Sequence, residues 1–235
     1  SALETVKKLL EDSSEKIERI VEEDERVAKE SSDRIRRLVE EDKRVADEIL
    51  DLIEKIGDTD TLLKLVEEWS RTSKKLLDDV LKLHKDWSDD SRRLLEEILR
   101  VHEELIRRVK EILDREGKPE EVVRELEKVL KESLDTLEEI IRRLDEANAA
   151  TVKRVADVIR ELEDINRKVL EEIKRGSDDA EAVIKVIEKL IRANKRVWDA
   201  LLKINEDLVR VNKTVWKELL RVNEKLARDL ERVVK

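Results

Sequence analysis

The sequence has no cysteine, methionine, phenylalanine or tyrosine, and only three glycines and one proline among its 235 residues. Without cysteine the chain has no disulfide framework, no thiolate nucleophile and no cysteine-ligated zinc site, so it is compatible with a reducing cytoplasm. No segment approaches the ~18 consecutive apolar residues that a membrane span requires. We therefore expect a soluble protein that has no membrane partner.

Charged residues are abundant, but neither sign is concentrated. The 52 basic and 61 acidic residues give a net charge of −9 and are intermingled along the whole chain. A nucleic-acid-binding surface needs a basic stripe, whereas mixed charge is typical of solvated helix faces with pairs at i,i+4. We expect no nucleic-acid partner.

Conspicuous residues recur after 18 positions. Trp198 returns as Trp216 and Asn194 as Asn212, and the same spacing occurs in the other parts of the chain. Eighteen residues are about five turns at ~3.6 residues per turn, so each residue type stays on one line along the helix. A heptad repeat would impose a left-handed supercoil, so this period predicts straight, untwisted helices.

Short loops divide the chain into four helical segments of similar length. Gly57 and Gly117 are stop signals, and the glycine of Gly176-Ser177-Asp178 ends the third segment. Ser1 with Glu4 and Asp178 with Glu181 fit capping boxes. The predicted helices cover residues 2-56, 61-116, 119-175 and 178-234.

Loops this short force neighbouring helices to be antiparallel. The predicted fold class is all-α: a long antiparallel up-down-up-down four-helix bundle with straight helices, forming a single domain over residues 1-235. Helices of about 55 residues would each be ~80 Å long at ~1.5 Å per residue.

Polar residues on the apolar faces fall at four heights when residues are counted along alternating helices. The first predicted layer contains Ser13, His102, Asn223 and Ser133, and the second contains Asp24, Ser91 and Asn212. The third contains Ser31, His84, Asn205, Asn148 and Thr151, and the fourth contains Asp42, Ser73 and Asn194. We predict buried hydrogen-bond networks that fix helix register, because a shifted helix would leave these groups in apolar surroundings.

The four tryptophans are the only aromatic residues other than two histidines. By the same counting they alternate in height between the second and fourth helices: Trp69, Trp87, Trp198 and Trp216. We interpret them as large packing side chains whose indole N–H groups donate into neighbouring polar layers. An exposed surface for stacking a ligand is the less favoured alternative.

Histidines and acids in a four-helix bundle raise the possibility of a metal or catalytic site. A di-metal carboxylate centre uses Glu-x-x-His, but Leu81 and Leu99 stand three positions before His84 and His102. The two histidines are also ~27 Å apart along the helix, too far to share one ion. A Ser-His-Asp catalytic triad that includes Ser31 would have no substrate cleft, and no free backbone N–H groups to stabilise an oxyanion. We expect no metal, no cofactor and no enzyme activity.

The chain resembles de novo designed helical bundles with buried hydrogen-bond networks. The resemblance covers the whole chain and rests on the 18-residue repeat, on the polar residues of apolar faces, and on the loops Gly57-Asp58-Thr59-Asp60 and Gly176-Ser177-Asp178. It implies a synthetic, recombinant scaffold or specificity module with no native compartment and no catalytic residues.

Two functions remain open at this point. The chain is either a monomeric scaffold that requires no partner, or an interaction module. Such a module would be a single-chain heterodimer, or a cage whose last helix is displaced by a helical partner. A further hypothesis is that acid below about pH 6 protonates His84 and His102 and loosens their layers.

Overall fold

Four long helices make up nearly all of the part of the chain that the computed structural model describes, residues 1–176 and 179–234. They are α1 (Ala2–Ile53), α2 (Thr59–Glu116), α3 (Glu120–Gly176) and α4 (Ala180–Val234). These described residues form no strand. The predicted all-α fold with four helices is confirmed.

The first two helices begin at polar capping side chains. The Glu4 N–H donates to Ser1 Oγ at 3.4 Å, and the Glu4 carboxylate lies 3.9 Å from the amino group of Ser1. Before α2, Asp58 Oδ1 accepts the Asp60 N–H at 3.2 Å, and the Asp58 carbonyl accepts the Leu62 N–H at 3.1 Å. These bonds satisfy amides that have no partner within the helix.

Two helix boundaries around the first loop differ from the predicted ones. α1 ends at Ile53, three residues early, because the chain tightens there and the Lys55 N–H bonds to the Leu52 carbonyl at 3.1 Å. Such i→i+3 bonds are of the 3₁₀ type. α2 begins at Thr59, two residues early, because Asp58 is its capping residue.

Gly117 lets the chain turn between α2 and α3. Its φ of 60° is in the left-handed region that favours glycine after a helix, and α2 ends at Glu116 as predicted. The Pro119 carbonyl accepts the Val122 N–H at 3.1 Å, so α3 begins at Glu120, one residue after the predicted start.

The start of α4 also differs from the predicted one. Ser177 and Asp178, the predicted cap, lie outside the described residues. Asp179 Oδ1 accepts the N–H of Glu181 at 3.1 Å. α4 therefore begins at Ala180, two residues after the predicted start, and Asp179 caps it.

Contacts divide the chain into two compact units, and every helix contributes a segment to each unit. Unit 1 comprises Ser1–Lys29, Trp87–Asn148 and Val209–Lys235, and unit 2 comprises Glu30–Asp86 and Ala149–Leu208. That residues 1–235 form a single domain of straight helices stays a prediction.

Within unit 1 the segments of α2 and α3 are antiparallel. Arg92 of α2 pairs with Asp145 of α3 at 2.9 Å, whereas later residues of α2 pack against earlier residues of α3 in one apolar cluster. The numbering therefore rises on one helix as it falls on its neighbour. The cluster buries residues of all four helices: Val6, Leu10, Leu105, Val109, Leu113, Leu126, Leu130, Leu226 and Leu230.

Within unit 2, α1 and α4 are also antiparallel. Lys43 pairs with Asp199 at 2.9 Å, and Asp47 pairs with Lys195 at 3.5 Å. These pairs are partly exposed, so each contributes at most about 1 kcal/mol, and apolar burial provides most of the stability. The buried apolar residues of unit 2 include Ile35, Val39, Leu62, Val66, Leu77, Val80, Val155, Ile159, Leu162 and Ile187.

Candidate functional site

A buried carboxylate on α1 accepts a hydrogen bond from α4 in unit 1. Asp24 is 1% exposed, and its Oδ2 accepts the indole N–H of Trp216 at 2.6 Å. The buried Ser91 hydroxyl of α2 is close enough to influence the same carboxylate, but its oxygen has no hydrogen-bond partner among the residues that the structure describes. Burial raises the pKa of Asp24 to about 6 because the charge loses its hydration, while the bond from Trp216 and the nearby Ser91 hydroxyl lower it and nearby Glu25 raises it.

Unit 2 contains the same three residue types, and there both the serine and the tryptophan bond to the carboxylate. Asp42 Oδ2 accepts the Ser73 hydroxyl at 2.8 Å and the Trp198 indole N–H at 2.6 Å. Each residue lies 18 positions from its counterpart in unit 1. Burial raises the pKa of Asp42, and the bonds from Ser73 and Trp198 lower it.

Pairs of buried asparagines join α3 to α4 in each unit. In unit 1, Asn212 Nδ2 donates to Asn148 Oδ1 at 3.2 Å. In unit 2, Asn194 Nδ2 donates to Asn166 Oδ1 at 3.0 Å and to the carbonyl of Leu190 on its own helix at 2.8 Å. Both pairs again differ by 18 positions on each helix.

Asparagine and serine join α4 to α1 in a third repeated contact. Asn223 Nδ2 donates to Ser14 Oγ at 2.9 Å in unit 1. In unit 2, Asn205 Nδ2 donates to Ser32 Oγ at 3.1 Å and to the Ser32 carbonyl at 3.2 Å. Each unit thus holds one carboxylate–indole–hydroxyl set, one asparagine pair and one asparagine–serine pair.

Both histidines are buried on α2. Burial lowers the pKa of His102 to about 4, and a hydrogen bond to the Leu130 carbonyl acts in the opposite direction. His102 Nε2 has no hydrogen-bond partner within the described part of the chain. Burial also lowers the pKa of His84 to about 4. Both rings are therefore neutral at pH 7.

Within the described part of the chain, six buried asparagine and tryptophan residues of α4 donate side-chain hydrogen bonds to other helices. In chain order these donors are Asn194, Trp198, Asn205, Asn212, Trp216 and Asn223. Their acceptors lie on α3, α1 and α1, and this order then repeats. A buried donor that loses its acceptor destabilises the fold by about 1–3 kcal/mol. The order of donors therefore favours one register of α4 against its neighbours.

The structure distributes the predicted layer residues differently in two cases. Asn148 was assigned by height to the layer of His84 and Asn205, but it bonds to Asn212. Asn194 was assigned to the layer of Asp42, but it bonds to Asn166. Counting gives only the height of a residue, whereas the contact also depends on which neighbour the residue faces.

The serine partners of two asparagines also differ from the predicted ones. Asn223 bonds to Ser14 where Ser13 was predicted, and Asn205 bonds to Ser32 where Ser31 was predicted. Adjacent residues on a helix differ by only ~1.5 Å in height but by ~100° in direction, so counting does not separate them. The remaining layer residues Ser133 and Thr151 are half-buried on α3.

The predicted role of the tryptophans as donors holds for Trp198 and Trp216. Trp69 and Trp87 are also buried, at 1% exposure each. Trp69 Nε1 has no hydrogen-bond partner among the residues that the structure describes. Trp69 is therefore a packing side chain, and it is a matched control for the two tryptophans that bond to aspartate.

Sequence reasoning missed four buried or bonded polar residues. Asn166 lies 18 positions after Asn148, so the repeat itself could have identified it. Ser14 and Ser32 are also 18 positions apart, and the predicted layers contain the adjacent serines in their place. Ser88 is buried and follows Trp87 as Ser70 follows Trp69, 18 positions earlier, so the repeat could have identified it as well.

Within residues 1–176 and 179–234, no group of three or more histidines and acids could hold a metal ion. No helix described by the structure is long and apolar enough to cross a membrane.

No protein-family model and no curated protein sequence matches the chain. Among solved structures, the chain is similar to one described as "Computationally designed three helix bundle". The identity is 18% over 97% of this chain and 94% of that chain, with a TM-score of 0.25. At this identity and TM-score, the likeness does not define the fold or the function.

Proposed function

We propose that the protein is a monomeric structural scaffold without catalytic chemistry, in which buried polar contacts select the register and the neighbours of each helix. The observation that carries this proposal is the order of donors on α4. Along the helix they bond to acceptors on α3, α1 and α1, and this order then repeats. The proposal predicts a particle mass near 27.7 kDa in solution.

The physical basis is the cost of breaking the contacts. If α4 moved by one turn, Leu220 or Asn212 would take the place of Trp216 beside Asp24. Removing the hydrogen-bond partner of a buried polar group costs about 1–3 kcal/mol, and more when the group is charged. Apolar packing alone discriminates less, because leucine, isoleucine and valine replace one another at modest cost.

We infer a designed origin from the same regularity. The four helices have 52, 58, 57 and 55 residues, and one 18-residue period repeats in all of them. Equal elements, deliberate capping and uniform patterning are the rules by which idealised proteins are built.

The position of all six donors on one helix supports a second candidate function. In this alternative the protein is an interaction module whose α4 is displaced by a free helix with the same order of donors. A polar residue left without its partner would reject other helices, which is a general route to binding specificity.

Incubating the full chain with a labelled peptide of residues 179–235 separates the two functions. If the protein is a closed scaffold, the peptide stays free for days in size-exclusion chromatography. If it is an interaction module, the peptide co-elutes with the chain, and the chain's own α4 becomes sensitive to protease.

The control is the same peptide with leucine at its four buried asparagines: Asn194, Asn205, Asn212 and Asn223. This peptide keeps the apolar face but lacks the amide donors, so it should not enter under either function. Equal incorporation of both peptides would mean that the polar contacts do not select the helix, and both candidate functions would then be wrong.

A further inference from the structure

A glycosylation acceptor triplet lies in the middle of α4. Asn212-Lys213-Thr214 fits the pattern Asn-x-Ser/Thr, in which the middle residue is not proline. In secreted proteins such triplets usually lie on surface loops. Here Lys213 and Thr214 are exposed, but Asn212 is 0% exposed.

The atom that would carry the sugar is part of a buried contact. Asn212 Nδ2 donates to Asn148 Oδ1 at 3.2 Å. Neighbouring Leu208 and Trp216 on α4 are also buried. Protein cores are close-packed and hold no space for an oligosaccharide, so the folded chain protects Asn212 from modification.

Because α4 is synthesised last, the triplet is accessible to modification before α4 packs. α1, α2 and α3 precede α4 in the chain, and Asn212 becomes buried only when α4 packs against Asn148 of α3. Until α4 has packed, Asn212 and Thr214 are accessible together in an unfolded segment.

We propose that Asn212 is a cryptic N-glycosylation site, which is modified when the chain enters a secretory pathway and which then blocks folding. The co-reactant is a lipid-diphosphate-linked oligosaccharide. The bond between its anomeric carbon and the diphosphate oxygen breaks, a bond from that carbon to Asn212 Nδ2 forms, one proton leaves Nδ2, and the lipid diphosphate is released. No oxidation or reduction occurs.

A glycan at this position is incompatible with the contacts of α4. The modified nitrogen would bring a large hydrated group between α3 and α4, where Asn148 and Asn212 now pair. Modification and packing of α4 are therefore mutually exclusive, and the faster process determines the fate of each chain.

The test is expression of the full chain behind a secretion signal in a eukaryotic cell. We expect a mobility shift that peptide N-glycosidase removes, and a product that protease digests rapidly. The matched variant Thr214→Ala lacks the triplet and should be unmodified, helical and protease-resistant. Thr214 is exposed, and its hydroxyl bonds to the Arg210 carbonyl of the same helix at 3.1 Å, so this substitution spares the core.

A second variant tests whether any glycan prevents folding or only a glycan at Asn212. Thr59→Asn in the Thr214→Ala background creates an acceptor triplet with Thr61 in the first turn of α2, directly after the loop. This chain should be glycosylated and still fold. The proposal is wrong if the parent chain is unmodified, if the modified parent resists protease as well as Thr214→Ala does, or if the Thr59→Asn chain is glycosylated and unfolded.

Discussion

Replacing Asp24 with asparagine is expected to raise the free energy of unfolding at pH 7.5 by on the order of 2–3 kcal/mol. Burial raises the pKa of Asp24 to about 6, whereas an unfolded aspartate titrates near 3.9. The folded state therefore holds the proton more tightly. The stability from this group is fully present below about pH 3.9 and is lost as the pH rises through about 6.

Asparagine cannot ionise, and its amide oxygen can still accept the indole N–H of Trp216. Asp42→Asn is expected to act in the same direction, because burial also raises the pKa of Asp42. Guanidinium unfolding at pH 7.5 and at pH 4 measures both effects, and the gain should be much smaller at pH 4. Exposed Asp12 on the same helix is the control, because Asp12→Asn should change stability by less than about 0.5 kcal/mol.

A loss of stability in Asp24→Asn at pH 7.5 would contradict this expectation. It would show that the ionised carboxylate stabilises the contact with Trp216 by more than its desolvation costs.

The double variant Asp24→Asn with Asp42→Asn is expected to lose about 6 kcal/mol of stability between pH 7.5 and pH 4. Burial lowers the pKa of His84 and of His102 to about 4, whereas an unfolded histidine titrates near 6.5. The stability from each neutral ring is fully present above about pH 6.5 and is lost as the pH falls through about 4. Each histidine accounts for about 3 kcal/mol of this loss.

The parent chain should show a shallower pH dependence. As the pH falls, Asp24 and Asp42 take up protons more readily in the folded state than in the unfolded state, so they gain stability in a window that overlaps that of the histidines. Unfolding titrations of the parent and of the double variant test this opposition. Parallel curves would mean that the buried carboxylates do not offset the histidines.

The opposing effects of the buried carboxylates and histidines also bear on the sequence-based hypothesis that acid loosens the polar layers. That hypothesis placed the protonation of His84 and His102 below about pH 6. Burial lowers both pKa values to about 4, and each unit also contains one buried carboxylate, whose titration has the opposite effect on stability. A parent melting temperature that is nearly constant between pH 7.5 and 4.5 is therefore compatible with titrating histidines.

Local signals explain why much of the fold could be predicted. Gly117 ends α2 and Ser1 caps α1 through contacts with residues only a few positions away, and these contacts are encoded in short motifs. The two-residue errors at the starts of α2 and α4 come from the capping residues Asp58 and Asp179, each of which competes with a neighbouring polar residue. The three-residue error at the end of α1 comes from the tightened turn at Lys55.

The hydrogen-bond partners of the buried polar residues were harder to predict from the sequence than the helices. Counting along antiparallel helices brings Asp42 and Ser73 to one height, and their side chains do bond. It does not give the direction in which a side chain points around the helix axis, so Asn148 was placed with Asn205 when it faces Asn212. The raised pKa of Asp24 depends on its depth and on its partners, which only the packed structure defines.

The central claim is that buried carboxylates of α1 hold the indole donors of α4, and indole N–H nuclear magnetic resonance as a function of pH tests it most directly. We expect the Trp216 signal to be protected from exchange with water and to shift with a midpoint near pH 6, the pKa of Asp24. In Asp24→Asn that transition should vanish, while the signal of Trp69 stays unchanged. A Trp216 signal that exchanges within seconds, or that shows no transition linked to Asp24, would contradict the claim.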